Sequence, residues 1–128
     1  MGKVRTLADE RPSLVDVEAW LPAARNELAR VRRQARSTLT SIALANGADV
    51  EQSDRLIATC DAACDAMVKQ LDEIAARATI VRTYVDTRPA DDPSFAIPTE
   101  VRNAWGAMTM GKLLAVDELS RLAAQLAT

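Results

Sequence analysis

Apolar residues in the middle of the chain recur in alternating steps of three and four. The longest run spans four heptads and predicts a helix over about residues 50–86. Its members are Ile57, Cys60, Cys64, Met67, Leu71, Ile74, Ala78, Val81 and Val85. This spacing indicates a long helix that buries one stripe against partner helices. At about 1.5 Å per residue the helix is roughly 55 Å long, so we expect the rest of the chain to pack along it.

A similar pattern before this run predicts a helix over about residues 13–46. Its apolar positions are Val17, Leu21, Ala24, Leu28, Val31, Ala35, Thr38, Ile42 and Ala45. Ser13 and Asp16 resemble a capping box, which places the helix start there and leaves residues 1–12 as an N-terminal arm. Pro22 removes one helical hydrogen bond. Because the pattern continues in phase on both sides, we predict a kink; a short separate first helix is the alternative.

A short turn at residues 46–49 separates these two helices. Gly47 suits the left-handed position that follows a helix, and Asp49 with Gln52 resembles the start of the next one. A connection this short makes the two helices antiparallel neighbours.

A proline-rich linker over residues 87–98 precedes a third predicted helix over about residues 99–127. We expect Phe95 and Ile97 to hold the linker against the end of the bundle. The inward stripe of the third helix is Val101, Trp105, Met108, Ala115, Leu119, Leu122 and Leu126. A break near Gly111 is the open alternative to a continuous third helix.

The fold class that follows is all-α: an up-down-up bundle of three long helices. We predict that residues 13–128 form a single helical domain. Strand-like alternation is absent, and the chain has only 3% aromatic residues and four glycines.

The formal net charge is −2, so no general attraction to nucleic acid or membranes is expected. No apolar run has the length of a membrane span, and we expect a cytoplasmic protein without a membrane partner.

Catalysis is not expected, because the chain has no histidine and therefore lacks the usual general base near neutral pH. It also has no glycine-rich phosphate loop. Cys60 and Cys64 share one helical face, but a structural zinc site needs four ligands. We interpret both thiols as core residues, with a metal site shared between two chains as the remaining alternative. No metal or cofactor is predicted.

Charged residues form two stripes that we expect to face each other. Arg25, Arg32 and Arg36 share one side of the first helix, and the second helix carries Asp54, Asp61, Asp65 and Asp72. Antiparallel pairing brings Arg32 and Arg36 near Asp61 and Asp65, which favours ion pairs beside the apolar seam. The alternative is that the arginine stripe binds the phosphates of a nucleic acid.

The back of the third helix is also apolar. Ala107, Met110, Leu113 and Leu114 lie opposite its inward stripe or beside that position. A helix that is apolar on two faces is usually buried on both, which makes these residues candidates for a protein interface. If the helix breaks at Gly111, however, Leu113 and Leu114 return to the core.

The function that we predict is non-enzymatic: a helical interaction or assembly protein, such as a structural or adaptor component of a multi-subunit particle of the phage or mobile-element type. Its expected partner is another copy of itself or a larger protein. The alternative is a nucleic-acid-associated regulatory protein that uses Arg25, Arg32 and Arg36.

Overall fold

The computed structural model describes residues 4–47 and 50–127. Its elements are α1 (Leu7–Asn46), α2 (Val50–Asp86), a short 3-10 turn (Ser94–Ala96) and α3 (Thr99–Ala127). Each of the three helices packs against both of the others. Gly111 lies beside Ile74 and Leu122 lies beside Met67, so α3 runs antiparallel to α2. The predicted all-α, up-down-up three-helix bundle is confirmed.

Helix α1 begins at Leu7, six residues before the predicted start at Ser13, so part of the predicted arm is helical. The linker caps this first turn: the backbone N–H of Leu7 donates to the Asp92 carbonyl at 3.0 Å, and that of Ala8 donates to the Ala90 carbonyl at 3.0 Å. These long-range bonds satisfy N–H groups that a helix start leaves free. Leu7 is also buried, which anchors the helical residues that precede the predicted start at Ser13.

The side chain of Ser13 therefore has a different role from the predicted cap. It lies within α1, where its hydroxyl donates to the Glu10 carbonyl at 2.8 Å and accepts from the Trp105 indole N–H at 2.7 Å. This contact ties α1 to α3. Helix α1 also continues through Pro12 and Pro22 without a boundary.

The turn between α1 and α2 has the predicted glycine geometry. Gly47 has φ +60° and ψ 33°, and its N–H donates to the Ala43 carbonyl, so the left-handed position is confirmed. The predicted cap at Asp49 lies outside the described residues.

The linker is fixed by one of its two expected anchors. Ile97 is buried, as predicted, but Phe95 is 74% exposed, so its predicted anchoring role is wrong. Backbone pairing holds the linker instead: Thr6 and Pro93 form an antiparallel bridge, and the Ser94 N–H donates to the Arg5 carbonyl at 2.7 Å.

Helix α3 is continuous from Thr99 to Ala127, so the alternative of a break near Gly111 is not realised. A Cβ at Gly111 would lie 2.9 Å from the Cγ1 atom of Ile74. Gly111 therefore permits a close approach of α3 to α2, because a Cβ at this position would collide with Ile74. This packing role accounts for a glycine inside the helix, where its low helix propensity is otherwise unfavourable.

Candidate functional site

The outer face of α3, formed by Ala107, Met110, Leu113 and Leu114, lies on the surface of the bundle. Met110 is 55% exposed, Leu113 66% and Leu114 54%, and Ala107 is exposed as well. Since α3 does not break, Leu113 and Leu114 do not return to the core. The outer face thus presents three large apolar side chains, each more than half exposed, to solvent.

The inner face of α3 determines this orientation. Ala104, Met108 and Ala115 are buried against the other helices, and Gly111 meets Ile74 on the same side. Residues 110 and 114 are neighbours one turn apart on the opposite side, because a helix repeats every 3.6 residues. Helix α3 therefore buries one apolar face against the other helices and exposes its second apolar face to solvent.

Charge is scarce along the outer face. Between Arg102 and Asp117 the only charged residue is Lys112, which is half-buried at the inner side. Beyond it, Asp117 pairs with Arg121 at 2.5 Å at the C-terminal edge. The outward-facing residues of the segment 107–116 thus form an uncharged, mainly apolar strip about 15 Å long. Contiguous patches of this kind mark interaction surfaces more often than isolated exposed leucines do.

The arginine stripe of α1 lies against acids of α2, as the antiparallel register predicts. The N–O distances are 2.9 Å for Arg25–Asp72, 3.1 Å for Arg32–Asp61, 2.9 Å for Arg32–Asp65 and 3.3 Å for Arg36–Asp61. The hydrogen bond to Asp65 raises the pKa of Arg32. Because carboxylates already occupy these guanidinium groups, a phosphate would have to compete with them.

Both cysteines lie in the core, at 4% exposure for Cys60 and 0% for Cys64, and both are free thiols. Burial raises the pKa of Cys64, which favours the neutral thiol, a poor metal ligand. Among the described residues, no three His, Cys, Asp or Glu side chains are grouped to hold a metal ion. The structure places both thiols where the core interpretation requires them.

A recess of about 390 Å³ lies at the linker end of the bundle, beside Trp105, and no sequence pattern predicts it. Its polar groups bond to one another: Ser94 donates to Glu10 at 3.1 Å, and Arg5 pairs with Glu10 at 2.8 Å. In the described part of the chain, no buried side-chain N or O atom lacks a partner. The recess is therefore a structural joint between α1, the linker and α3 rather than a poised chemical site.

None of the helices in the described part of the chain combines the length and apolar character that crossing a membrane requires. Comparison with known proteins found no matching family model, no similar curated protein and no similar solved structure.

Proposed function

We propose that this chain is a non-enzymatic interaction or assembly protein and that the outer face of α3 binds another protein. The observation that carries the proposal is the neutral strip with Met110, Leu113 and Leu114 at its centre, each more than half exposed. Each Å² of apolar surface that a partner removes from water contributes about 25 cal/mol to the free energy of binding. Methionine adapts to differently shaped partners, and the adjacent Ala107 and Gly106 permit close approach of a second helix.

The role that fits such a surface is a structural or adaptor component of a multi-subunit particle that is assembled in the cytoplasm. The partner is a larger protein of that particle or another copy of this chain. The bundle supports this role because α3 already packs its inner face against α1 and α2, so the outer face is available for a partner.

Site-specific photocrosslinking tests the proposal. A photoreactive residue replaces Leu113 in cells that naturally produce the protein, and a second variant carries it at Ile80, a 49% exposed residue of α2. We expect a discrete protein adduct from position 113, none from position 80, and loss of the adduct when Met110→Asp is added. Equal adducts from both positions, or none from position 113, would contradict the proposal.

Circular dichroism of the Met110→Asp variant is the companion measurement. Because Met110 faces solvent, we expect the variant to keep wild-type helicity while it loses the partner. A loss of helicity would instead place Met110 in the core.

A nucleic-acid-associated role for Arg25, Arg32 and Arg36 is the weaker proposal, since all three are paired with aspartates. It predicts binding to mixed DNA and RNA that weakens steeply with salt. It also predicts tighter binding by Asp61→Asn, which removes a carboxylate from Arg32 and Arg36. Binding that is absent or insensitive to salt would dismiss it.

A further inference from the structure

Three sulfur-containing side chains lie on the buried face of α2. Cys60, Cys64 and Met67 are 4%, 0% and 4% exposed, and they belong to the same core cluster. Cys60 and Cys64 are the only cysteines of the chain, and both are free thiols. The spacing of four and then three residues places the three side chains above one another along a single stripe of the helix.

The direction of helical side chains brings the sulfur atoms together. Side chains of a helix lean toward its N-terminus, over the residues three and four positions before them. The Cys64 side chain therefore points toward Cys60, and the longer Met67 side chain points toward Cys64. The Cβ atoms of such neighbours are about 5–6 Å apart, so the sulfur atoms can reach one ion between them. Burial and a hydrogen bond with Cys60 both raise the pKa of Cys64, so the two thiols lie within hydrogen-bonding distance.

The chemistry of these donors selects a soft metal ion. Thiolate and thioether sulfur suit copper(I), whereas magnesium, calcium and manganese are bound by oxygen ligands. A structural zinc site needs four ligands, and the described part of the chain holds no group of three His, Cys, Asp or Glu side chains that could bind a metal. Copper(I) is a closed-shell ion that accepts fewer ligands, so the two thiols and the thioether are a sufficient set.

We propose that Cys60, Cys64 and Met67 bind one copper(I) ion inside the bundle. Binding breaks the two S–H bonds and forms two copper–thiolate bonds, the two protons pass to solvent, and the Sδ atom of Met67 donates a lone pair. No electron is transferred. Thiols that are neutral in the metal-free protein permit this step, because a metal ion deprotonates the thiol that coordinates it. In a trigonal arrangement with metal–sulfur bonds of about 2.3 Å, the sulfur atoms are about 4 Å apart.

The surroundings of the three sulfur atoms suit such an ion. The ion pair of Arg32 with Asp61 sets the register of α1 against α2. This register places Ala35, a small buried residue, across from Cys60, where a larger side chain would leave less room. The complex of copper(I) with two thiolates carries one negative charge. Burial raises the pKa of Cys64 whereas the cation Arg32 lowers it, so Arg32 also favours the bound thiolate.

The ion enters from the side of the turn between α1 and α2. Cys60 is the first buried residue of α2, and none of the described side chains at positions 51–59 is buried. Local opening of this thinly packed segment exposes the thiols without unfolding the whole bundle. The site lies within α2 and uses no residue of the outer face of α3, so the inference is independent of the proposed function.

Competition with a chromogenic copper(I) chelator tests the inference. The reduced full chain is titrated anaerobically with copper(I) in the presence of bicinchoninate, and we expect the wild type to withdraw one equivalent of the ion. Cys60→Ala and Cys64→Ala should each raise the dissociation constant about a hundredfold or more, because each removes a thiolate. Met67→Leu, a substitution of similar volume, should raise it roughly tenfold.

Two control variants locate the ion. Met108 of α3 is also fully buried. It precedes Gly111, which meets Ile74, so in the antiparallel α3 it packs on the far side of Ile74 from Cys64. Met108→Leu should therefore leave copper binding unchanged, although it removes a buried thioether. Met110→Asp on the outer face of α3 should leave it unchanged as well.

Thermal unfolding followed by circular dichroism gives a second readout. A ligand that binds the folded state stabilises it, so we expect copper(I) to raise the unfolding temperature of the wild type and to have little effect on Cys64→Ala. A lower unfolding temperature with copper(I) would place the ion on the unfolded chain and overturn the inference.

Three results of the titration would also overturn it: no copper withdrawn by the wild type, an affinity that Cys64→Ala or Met67→Leu leaves unchanged, or equal weakening by Met108→Leu. None of these results affects the photocrosslinking test of the outer face of α3.

Discussion

The two ends of the bundle follow the same heptad pattern, but only one of them has a core. At the linker end, Leu7 and Leu14 are 2% and 0% exposed, and α1, the linker and α3 are joined by side-chain and backbone hydrogen bonds. At the hairpin end, which comprises residues 36–47 and 50–59, none of the described side chains is buried.

This difference shows that a heptad seam specifies which side of a helix is apolar and not how well that side is covered. Two helices alone leave their seam half open, and a third helix is needed to exclude water from it. Stability is therefore expected to be uneven along the molecule, with opening concentrated where local packing is thin.

Truncation of one leucine at the linker end and one isoleucine at the hairpin end should give the largest difference in the free energy of unfolding. We expect Leu14→Ala to lower the free energy of unfolding by about 3 kcal/mol, since the side chain is fully buried and leaves a cavity. Ile42→Ala should cost less than about 1 kcal/mol, because water already reaches that residue. Urea denaturation at low protein concentration measures both, and equal losses would refute the contrast between the ends.

The reaction rates of the two core thiols, Cys60 and Cys64, test the same contrast between the two ends of the bundle. Cys60 is the last buried position of α2 before the hairpin end, whereas Cys64 lies one turn deeper at 0% exposure. In single-thiol variants we expect Cys60 to react with a thiol reagent roughly tenfold faster than Cys64, through local opening of the hairpin end. Burial also raises the pKa of Cys64, which reduces its reactive thiolate.

Rates measured in denaturant provide the control for that experiment, because the two unfolded thiols should react alike. Equal slow rates in the native protein would mean that the hairpin opens only when the whole bundle unfolds.

A pair of glycines in α3 tests how closely the third helix must approach. Gly106 has open space where a Cβ would lie, so Gly106→Ala should stabilise the protein by about 0.5–1 kcal/mol through helix propensity. Gly111→Ala gains the same propensity but forces Ile74 aside, and we expect a net loss of about 1 kcal/mol. Thermal unfolding of the two variants measures the difference in stability. Stabilisation by both substitutions would show that the Ile74 side chain moves aside at little energetic cost.

The sequence predicted most of the fold because local signals and helix seams agree. Helix α2 begins and ends where its pattern does, and Gly47 takes the left-handed conformation that its position requires. The start of α1 was misplaced because the carbonyls that cap Leu7 and Ala8 come from a linker more than 80 residues away. A local signal marks the same start: the Thr6 N–H donates to the Asp9 carboxylate at 2.9 Å, a capping-box contact of the kind predicted for Ser13 and Asp16.

The candidate site was predictable only in part, for a similar reason. The pattern identified Ala107, Met110, Leu113 and Leu114 as apolar, but their exposure depends on α3 remaining straight through Gly111. Ile42 occupies an ordinary seam position of the predicted pattern. Only the structure shows that this residue is 48% exposed.

The smallest expected effect concerns the charges at the boundary between the two ends. Asp61 follows Cys60, the first buried residue of α2 after the hairpin end, and pairs with Arg32 and Arg36. We expect Asp61→Asn to cost about 0.5 kcal/mol at low salt and less at high salt, as for other partly exposed ion pairs. Arg121→Gln removes the fully local pair with Asp117 on α3 and should change stability even less. Urea denaturation at two salt concentrations checks both variants. A loss for Asp61→Asn well above 1 kcal/mol that persists at high salt would show that charge pairing, rather than the thin apolar seam, holds the hairpin end together.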